Sequence, residues 1–515
     1  MAIQSLPEAV LFGDHVSCLA PYPLLSIINS GNSILSLQGG SPPTIPINAF
    51  LLSISIQNHN SQIIPPIIVI MDNSNFNHFF TLLLLLLLFF ITAPSSLAEE
   101  SFRPKALVLP VTKDSSTLQY LAKINQRTPL VPLSLVVDLG GQFQWVDCET
   151  NYVSSTYRPA RCHSAQCSLA KANGCGDCFS SPKPGCNNNT CGLSPDNTVT
   201  HTATSGELAQ DVVSIQSTNG VNPGRSVTVS RFLFSCAPSS LLQGLANGAS
   251  GMAGLGRTKI SLPSQFASAF SFHRKFAFCF SASDGVVFFG DSPYVFRGNG
   301  QGVPSVDASK LLTFTPLITN PVSTASASSQ GEPSSEYFIG VKSIKIDNKI
   351  VQINSSLLSI DSNNGVGGTK ISTIDPYTVL EASIYKAVTE AFDRAAARRN
   401  ITRTDSYAPF EFCYDSEDVD GNELGKTVPT IELVMQNGVS WNIFGANSMV
   451  NINDLTMCLG FMNGGEKTRT SIVLGGYQID NHVLQFDLAT SRLGFSPLLF
   501  AYHTECIYFN MTSVA

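Results

Sequence analysis

An aspartate set in a glycine turn at the end of a strand is displayed for acid–base chemistry. Val136-Val137-Asp138-Leu139-Gly140-Gly141 has this form, and Gln142-Phe143-Gln144-Trp145-Val146-Asp147-Cys148 leads away from it as a second, aromatic strand. The glycines permit a sharp turn and leave the Asp138 carboxylate at its tip. One carboxylate is half of a hydrolytic pair. The other half must be a second acid close enough to share a proton, since crowding of two carboxylates is what splits their pKa values into an acid and a base.

The elements available to supply that half are short strands. Leu107-Val108-Leu109-Pro110-Val111 predicts a first strand, with Pro110 pointing to a sheet edge. Thr117 to Ile124 alternates and predicts a second. Further strands are expected at Asp211 to Ile215, Val227 to Val229, Val286 to Gly290 and Tyr337 to Val341. Ser261-Leu262-Pro263-Ser264-Gln265-Phe266 predicts a short helix with Pro263 in its first turn. One long helix is expected from about Ser383 to Arg398, with Ile384, Ala387, Val388, Ala391 and Phe392 on one face. Residues 322–336 read as a surface loop. The pattern is all-β with few short helices. It also repeats faintly. The Asp138 turn is followed by Gly254-Leu255-Gly256, and a similar strand and turn at Ser372 is followed by Val473-Leu474-Gly475-Gly476. Two like β lobes whose tips meet at a central cleft account for this.

The chain has 515 residues, 43% hydrophobic and 13% charged, with 30 Lys and Arg against 37 Asp and Glu. Nothing in that balance suggests a nucleic-acid surface. Cysteine is the stronger signal. Cys18 stands alone near the N-terminus. The other twelve are Cys148, Cys162, Cys167, Cys175, Cys178, Cys186, Cys191, Cys236, Cys279, Cys413, Cys458 and Cys506. An even set of this size indicates disulfides and an oxidising compartment. A metal reading competes at Cys175-Gly176-Asp177-Cys178, but no histidines are spaced as a ligand pair, and neither metal nor cofactor is expected.

From Phe79 a run containing seven leucines, Leu82 to Leu88, ends in Ser96-Leu97-Ala98. It is short for a membrane span and suits a signal peptide over 71–98, starting at Met71. Residues 1–70 carry almost no charge and read as an unstructured or non-native extension. The competing reading is an anchor retained from residue 79. The mature chain divides into an N-terminal β lobe, 99–305, and a C-terminal β lobe, 306–515. Sequons at Asn188, Asn354, Asn400 and Asn510 fit secretion to the extracellular space or cell wall, with no membrane association after cleavage.

Val136-Val137-Asp138 with Trp145-Val146-Asp147-Cys148, Gly254-Leu255-Gly256-Arg257 with Ser261-Leu262-Pro263-Ser264-Gln265, and Phe486-Asp487-Leu488-Ala489 with Arg492-Leu493-Gly494-Phe495 resemble the pepsin-like aspartic proteases of plants. Gly367-Gly368-Thr369 and Phe412-Cys413-Tyr414 add to this. The resemblance covers roughly residues 102–508 and implies the bilobal all-β pepsin-like fold. Thr128-Pro129-Leu130, and Ile371-Ser372-Thr373 through Leu380, are more similar to a subgroup that has lost proteolysis. This is the extracellular dermal glycoproteins, basic 7S globulins and xylanase or xyloglucanase inhibitor proteins.

Active members carry Asp-Thr/Ser-Gly in both lobes. Here the first motif is Asp138-Leu139-Gly140, and Ser372 stands where the second aspartate belongs. A serine hydroxyl cannot serve as a carboxylate base. Asp375 lies three residues further on, about 10 Å along an extended strand and on its other face, and reads as a decoy acid. The flap tyrosine of the family should fall near Thr198, yet no tyrosine occurs between Asn187 and Ser230. The resemblance also implies the pairs Cys413–Cys458 and Cys279–Cys506. Its functional implication is a secreted, catalytically degenerate inhibitor of cell-wall-degrading glycoside hydrolases. Residues 322–336 and Gly464-Gly465-Glu466-Lys467-Thr468-Arg469-Thr470 are candidate contact loops. The alternatives are an active aspartic endopeptidase and a storage or ligand-binding 7S-type globulin.

Overall fold

The computed structural model describes residues 102–172, 174–325 and 331–512, together with the backbone of two short strands nearer the N-terminus. Those two, Phe50–Ile54 and Ile67–Met71, pair antiparallel within a unit of their own, Met1–Ser101. Apart from Met71, the last residue of the second of these strands, the signal peptide read over 71–98 lies outside the described residues. The second unit, Phe102–Ala515, carries the rest.

Its architecture is bilobal and mostly β. In the first half, Ala106–Lys113, Tyr120–Gln126 and Val131–Asp138 run antiparallel in sequence, with Leu121 opposite Val136. A long hairpin, Gly206–Thr218 with Pro223–Ala237, wraps against them. Six antiparallel strands then join the halves. In spatial order they are Ala106–Lys113, Asp284–Gly290, Lys275–Cys279, Val483–Asp487, Arg492–Phe495 and Thr313–Ile318. The middle strands alternate with large apolar residues on one face, so the joint is filled with aromatic rings. Phe276 stacks on Phe486 with centroids 4.9 Å apart, and Tyr337 lies 4.6 Å from the same ring. All three are fully buried, each worth about 2–3 kcal/mol of apolar burial.

The faint repeat is structural. Gly251–Gly254 runs parallel beside Val131–Asp138, with Gly254 opposite Asp138, and antiparallel to Trp145–Asp147. In the second half Ile472–Leu474 runs parallel beside Thr369–Ile371 and antiparallel to Thr378–Leu380. In each half this later strand is therefore inserted between the strand that enters the polar tip and the strand that leaves it.

Two expectations are corrected. Pro110 is not at an edge, because Ala106–Lys113 is flanked on one side by Asp284–Gly290 along its whole length. On the other side the partner changes from Gly206–Thr218, at Leu107 and Val108, to Tyr120–Gln126, at Val111. Pro110 sits at that change of partner, where a missing N–H interrupts no ladder. The second strand starts at Tyr120, not Thr117. The Asp114 carboxylate accepts from the Thr117 amide and hydroxyl, and Leu118 takes a positive φ of 59°, which holds 114–119 in a turn.

The helix Ala382–Arg398 begins at Glu381, whose carboxylate accepts from the Ser383 and Ile384 amides. Ile384, Val388 and Phe392 are buried, and Ala387 and Ala391 pack against the same core. Six disulfides join Cys148 to Cys236, Cys162 to Cys175, Cys167 to Cys191, Cys178 to Cys186, Cys279 to Cys506 and Cys413 to Cys458. Four of them hold the loop-rich first half, where little side-chain area is available for packing. The cysteines of the competing metal reading, Cys175 and Cys178, are consumed in two of these bridges.

One buried ion pair also spans the halves. Lys113 Nζ lies 2.8 Å from Asp480, whose other oxygen accepts from the Tyr120 hydroxyl, and the charged side chains are only 7% and 9% exposed. Burial pushes the Asp480 carboxyl up, and Lys113 opposes that shift. Lys113→Met leaves a desolvated carboxylate without its cation, and a loss of about 3–5 kcal/mol is expected in urea unfolding. Adding Asp480→Asn to that variant should restore much of the loss. Equal stability of Lys113→Met and the parent chain would show that the pair contributes nothing.

Candidate active-site cleft

The two polar tips meet at the cleft floor. Val131–Asp138 delivers Asp138, which is 4% exposed, and the end of Thr369–Ile371 delivers Ser372, which is 8% exposed. Thr373 locks the tips together. Its hydroxyl donates to the Val137 carbonyl at 2.7 Å and accepts from the Leu139 amide at 3.0 Å. A single residue of the second half thus satisfies one acceptor and one donor of the first, both buried, each of which would otherwise cost about 1–3 kcal/mol.

The carboxylate of Asp138 accepts from the Gly140 amide at 3.0 Å and from the Thr198 hydroxyl at 2.9 Å. Its pKa is pushed up to about 6 from 3.8. Burial is the main cause, the Thr198 hydrogen bond opposes it, and the negative charge of Glu336 adds to it. Ser372 makes no counterpart to this. Its hydroxyl accepts from the amides of Ile374 and Asp375, both at 3.1 Å, which curls the chain directly after Ile371.

That curl corrects the expectation for Asp375. The backbone is not extended beyond Ile371, so the side chain is not carried to the far face of a strand, and Asp375 lines the same cavity as Asp138 and Ser372. Among the described residues the hydrogen bonds to the Asp138 carboxylate come from Thr198 and Gly140 and none from Asp375. The second polar tip itself carries a hydroxyl, Ser372, in place of a carboxylate.

Two charged residues that sequence reasoning passed over occupy the cleft instead. Lys370 Nζ lies 2.6 Å from Glu336, and both side chains are about four-fifths buried. Burial pulls the Lys370 ammonium down, but Glu336, followed by Asp375 and Asp138, outweighs it and holds the group above its ordinary value. Glu336 also accepts from the Thr324 hydroxyl. Its side chain crowds the glycine turn, and a Cβ on Gly140 would meet Glu336 Cγ at 2.6 Å. A signal was present in the sequence: Lys370 interrupts an otherwise uncharged strand two residues before the polar tip.

Thr198 belongs to a hairpin, Asp196–Asn197 with Thr202–Ala203, that folds over Asp138. Trp145 Nε1 donates to the Asp196 carbonyl at 2.9 Å, and Asn197 donates to the carbonyls of Leu241 and Gln243. These contacts hold the hairpin down. The remaining cavity is about 100 Å³, small beside the ~300–1,000 Å³ usual for a ligand pocket. The arrangement can protonate and deprotonate a single buried acid.

Comparison with known proteins agrees with this geometry. Residues 120–291 match the family model described as xylanase inhibitor N-terminal, and 336–497 match xylanase inhibitor C-terminal. A Nicotiana benthamiana protein named probable aspartic proteinase GIP2 is 62% identical over 430 residues, 82% of this chain and 96% of that relative. The crystal structure of edgp superposes with a TM-score of 0.78 at 62% identity, covering 81% of this chain and all of that one. Conglutin gamma from lupine seeds, a basic 7S globulin, superposes at 0.68 with 38% identity over 80% of this chain and all of the other. The chain belongs to the non-proteolytic subgroup of the pepsin-like aspartic protease family. Its cleft presents one buried carboxylate, Asp138, at the first tip and a hydroxyl, Ser372, at the second.

The raised Asp138 value has a pH signature. Its contribution to stability is fully present below pH 3.8, where both states hold the proton, and is lost as pH rises through about 6. Asp138→Asn removes this dependence. Urea unfolding is expected to shift in favour of the variant by up to ~3 kcal/mol between acidic and neutral pH. A pH-independent difference between the two proteins would show that Asp138 ionises normally.

Proposed function

We propose that this chain is a secreted, catalytically silent pepsin-like protein that binds and blocks glycoside hydrolases attacking cell-wall polysaccharide. The observation that carries the reading is the cleft itself, where Ser372 replaces an acid and Thr198 and the Lys370–Glu336 pair close the space above Asp138. With little room left beside Asp138, recognition falls to the surface. The family description, xylanase inhibitor in both halves, supports hydrolases as the kind of partner.

Two loops are suited to that contact. Gly464 to Lys467 and Arg469 are exposed. Arg469 donates to the Ser323 carbonyl, tying this loop to residue 323. An arginine held by one hydrogen bond still offers donors to a carboxylate, and the active clefts of glycoside hydrolases present paired carboxylates. Secretion is supported by the six disulfides and by sequons whose asparagines are exposed at Asn188, Asn354 and Asn400 and half-buried at Asn510.

The test is a titration of the purified chain against an endoglucanase and a xylanase, with an acid-pH peptidase assay run in parallel. Stoichiometric loss of hydrolase activity is expected. The double variant Lys467→Gln/Arg469→Gln should weaken it by roughly tenfold or more, with unfolding unchanged. No inhibition of any glycoside hydrolase class would overturn the reading in favour of a storage globulin. Acid peptidase activity abolished by Asp138→Asn and by Asp375→Asn would overturn it in favour of an endopeptidase.

A further inference from the structure

A second cavity, about 900 Å³, opens beside the closed cleft and shares Gln142, Phe143, Ser194 and Ser335 with it. Its walls carry four cations, Lys171, Arg257, Lys259 and Arg274, and one carboxylate, Glu332. Among the described residues none of the four cations forms an ion pair.

Arg257 shows the imbalance most clearly. One terminal nitrogen donates to the Thr319 hydroxyl at 2.6 Å, and the guanidinium lies 5.3 Å from the centre of the Tyr337 ring. Its Nε and Nη2 are buried with no hydrogen-bond partner among the described residues. Burial draws its pKa down, the Tyr337 ring opposes this, and the charge of Arg274 adds to the lowering. A chain with more acids than bases overall thus concentrates uncompensated positive charge on one cavity. Such an excess is relieved by an anion, and guanidinium forks suit carboxylates in particular.

The rest of the lining narrows the class of anion. Ser194, Ser205, Thr258, Ser323, Ser334 and Ser335 bring hydroxyls to the walls, and Phe143 and Leu169 provide apolar surface. Hydroxyl donors and acceptors around an apolar face suit a sugar ring, which is polar at its rim and apolar on its C–H face. The volume accommodates several rings.

We propose that this cavity binds an acidic oligosaccharide, with uronate carboxylates on Arg257, Arg274 and Lys259 and sugar hydroxyls on the serine-lined walls. This binding requires no hydrolase partner and stands or falls separately from the inhibitory reading.

The test is calorimetric titration of the full chain with a galacturonic acid trimer, its methyl ester, cellotriose and triglutamate. The acid trimer is expected to bind at least tenfold more tightly than the ester or cellotriose, and to weaken as salt is raised. Arg257 packs on Tyr337 and its replacement risks unfolding, so the informative variants are the exposed Lys259→Gln and Arg274→Gln. Each should reduce affinity for the acid trimer several-fold, with the unfolding midpoint and hydrolase inhibition unchanged. Absence of binding, equal binding of the ester, or indifference to both variants would overturn the proposal. Tighter binding of triglutamate would replace it with an acidic peptide site.

Discussion

Two turns from opposite halves of the chain must pack tip to tip with almost no solvent between them, and the hydroxyl of Thr373 is what makes that contact possible. It answers the Val137 carbonyl and the Leu139 amide at once. Both groups lie at the tip, where Val131–Asp138, paired with Gly251–Gly254, gives way to the turn. Removing the hydroxyl would leave two buried orphans at the junction. The six-stranded sheet beneath, with Phe276 on Phe486, sets the halves at the distance that lets this contact form.

Retaining Thr373 while losing the acid beside it separates two jobs that one motif can perform. Ser372 keeps the local turn by accepting two amides, work that a carboxylate could also do, but it contributes no negative charge. Asp138 remains a buried carboxylate, which is expensive. The cleft answers that cost in two ways. Thr198 donates to the carboxylate, and Lys370 places a cation nearby. Lys370 in turn needs Glu336, whose charge raises the Asp138 value again. The result is a set of groups that satisfy one another and leave little to offer a substrate.

Much of this was legible in the sequence because it depends on local rules. The glycine turn at Asp138, the amphipathic stripe from Ile384 to Phe392 and the alternation of short strands are consequences of residues within a few positions of each other. The missing acid was also legible, since Ser372 is an identity and not a conformation. What could not be read were contacts set by the meeting of distant segments. Thr198 on Asp138 spans 60 residues, and Lys370 with Glu336 joins a strand to a bend, neither of which reveals the pair alone. Asp375 was misplaced for a related reason. Counting along an extended strand assumes the strand continues, and here the Ser372 hydroxyl ends it. Pro110 misled because a proline rule about edges is really a rule about unpaired N–H groups, which also occur where a strand changes neighbours inside a sheet.

Loss of the second carboxylate also changes what constrains the surface. An active cleft must stay open to a peptide, so the hairpin above it has to move and the loops around its mouth have to leave room. Once Thr198 sits on Asp138 and the hairpin is pinned through Trp145 and Asn197, that requirement is gone. The loop that carries Arg469 can then be tied down, as it is at Ser323. A fixed shape lowers the entropy lost when a partner binds. In this chain the side chains that occupy the cleft, Thr198, Lys370 and Glu336, satisfy one another and Asp138, so the cleft floor holds one fixed arrangement.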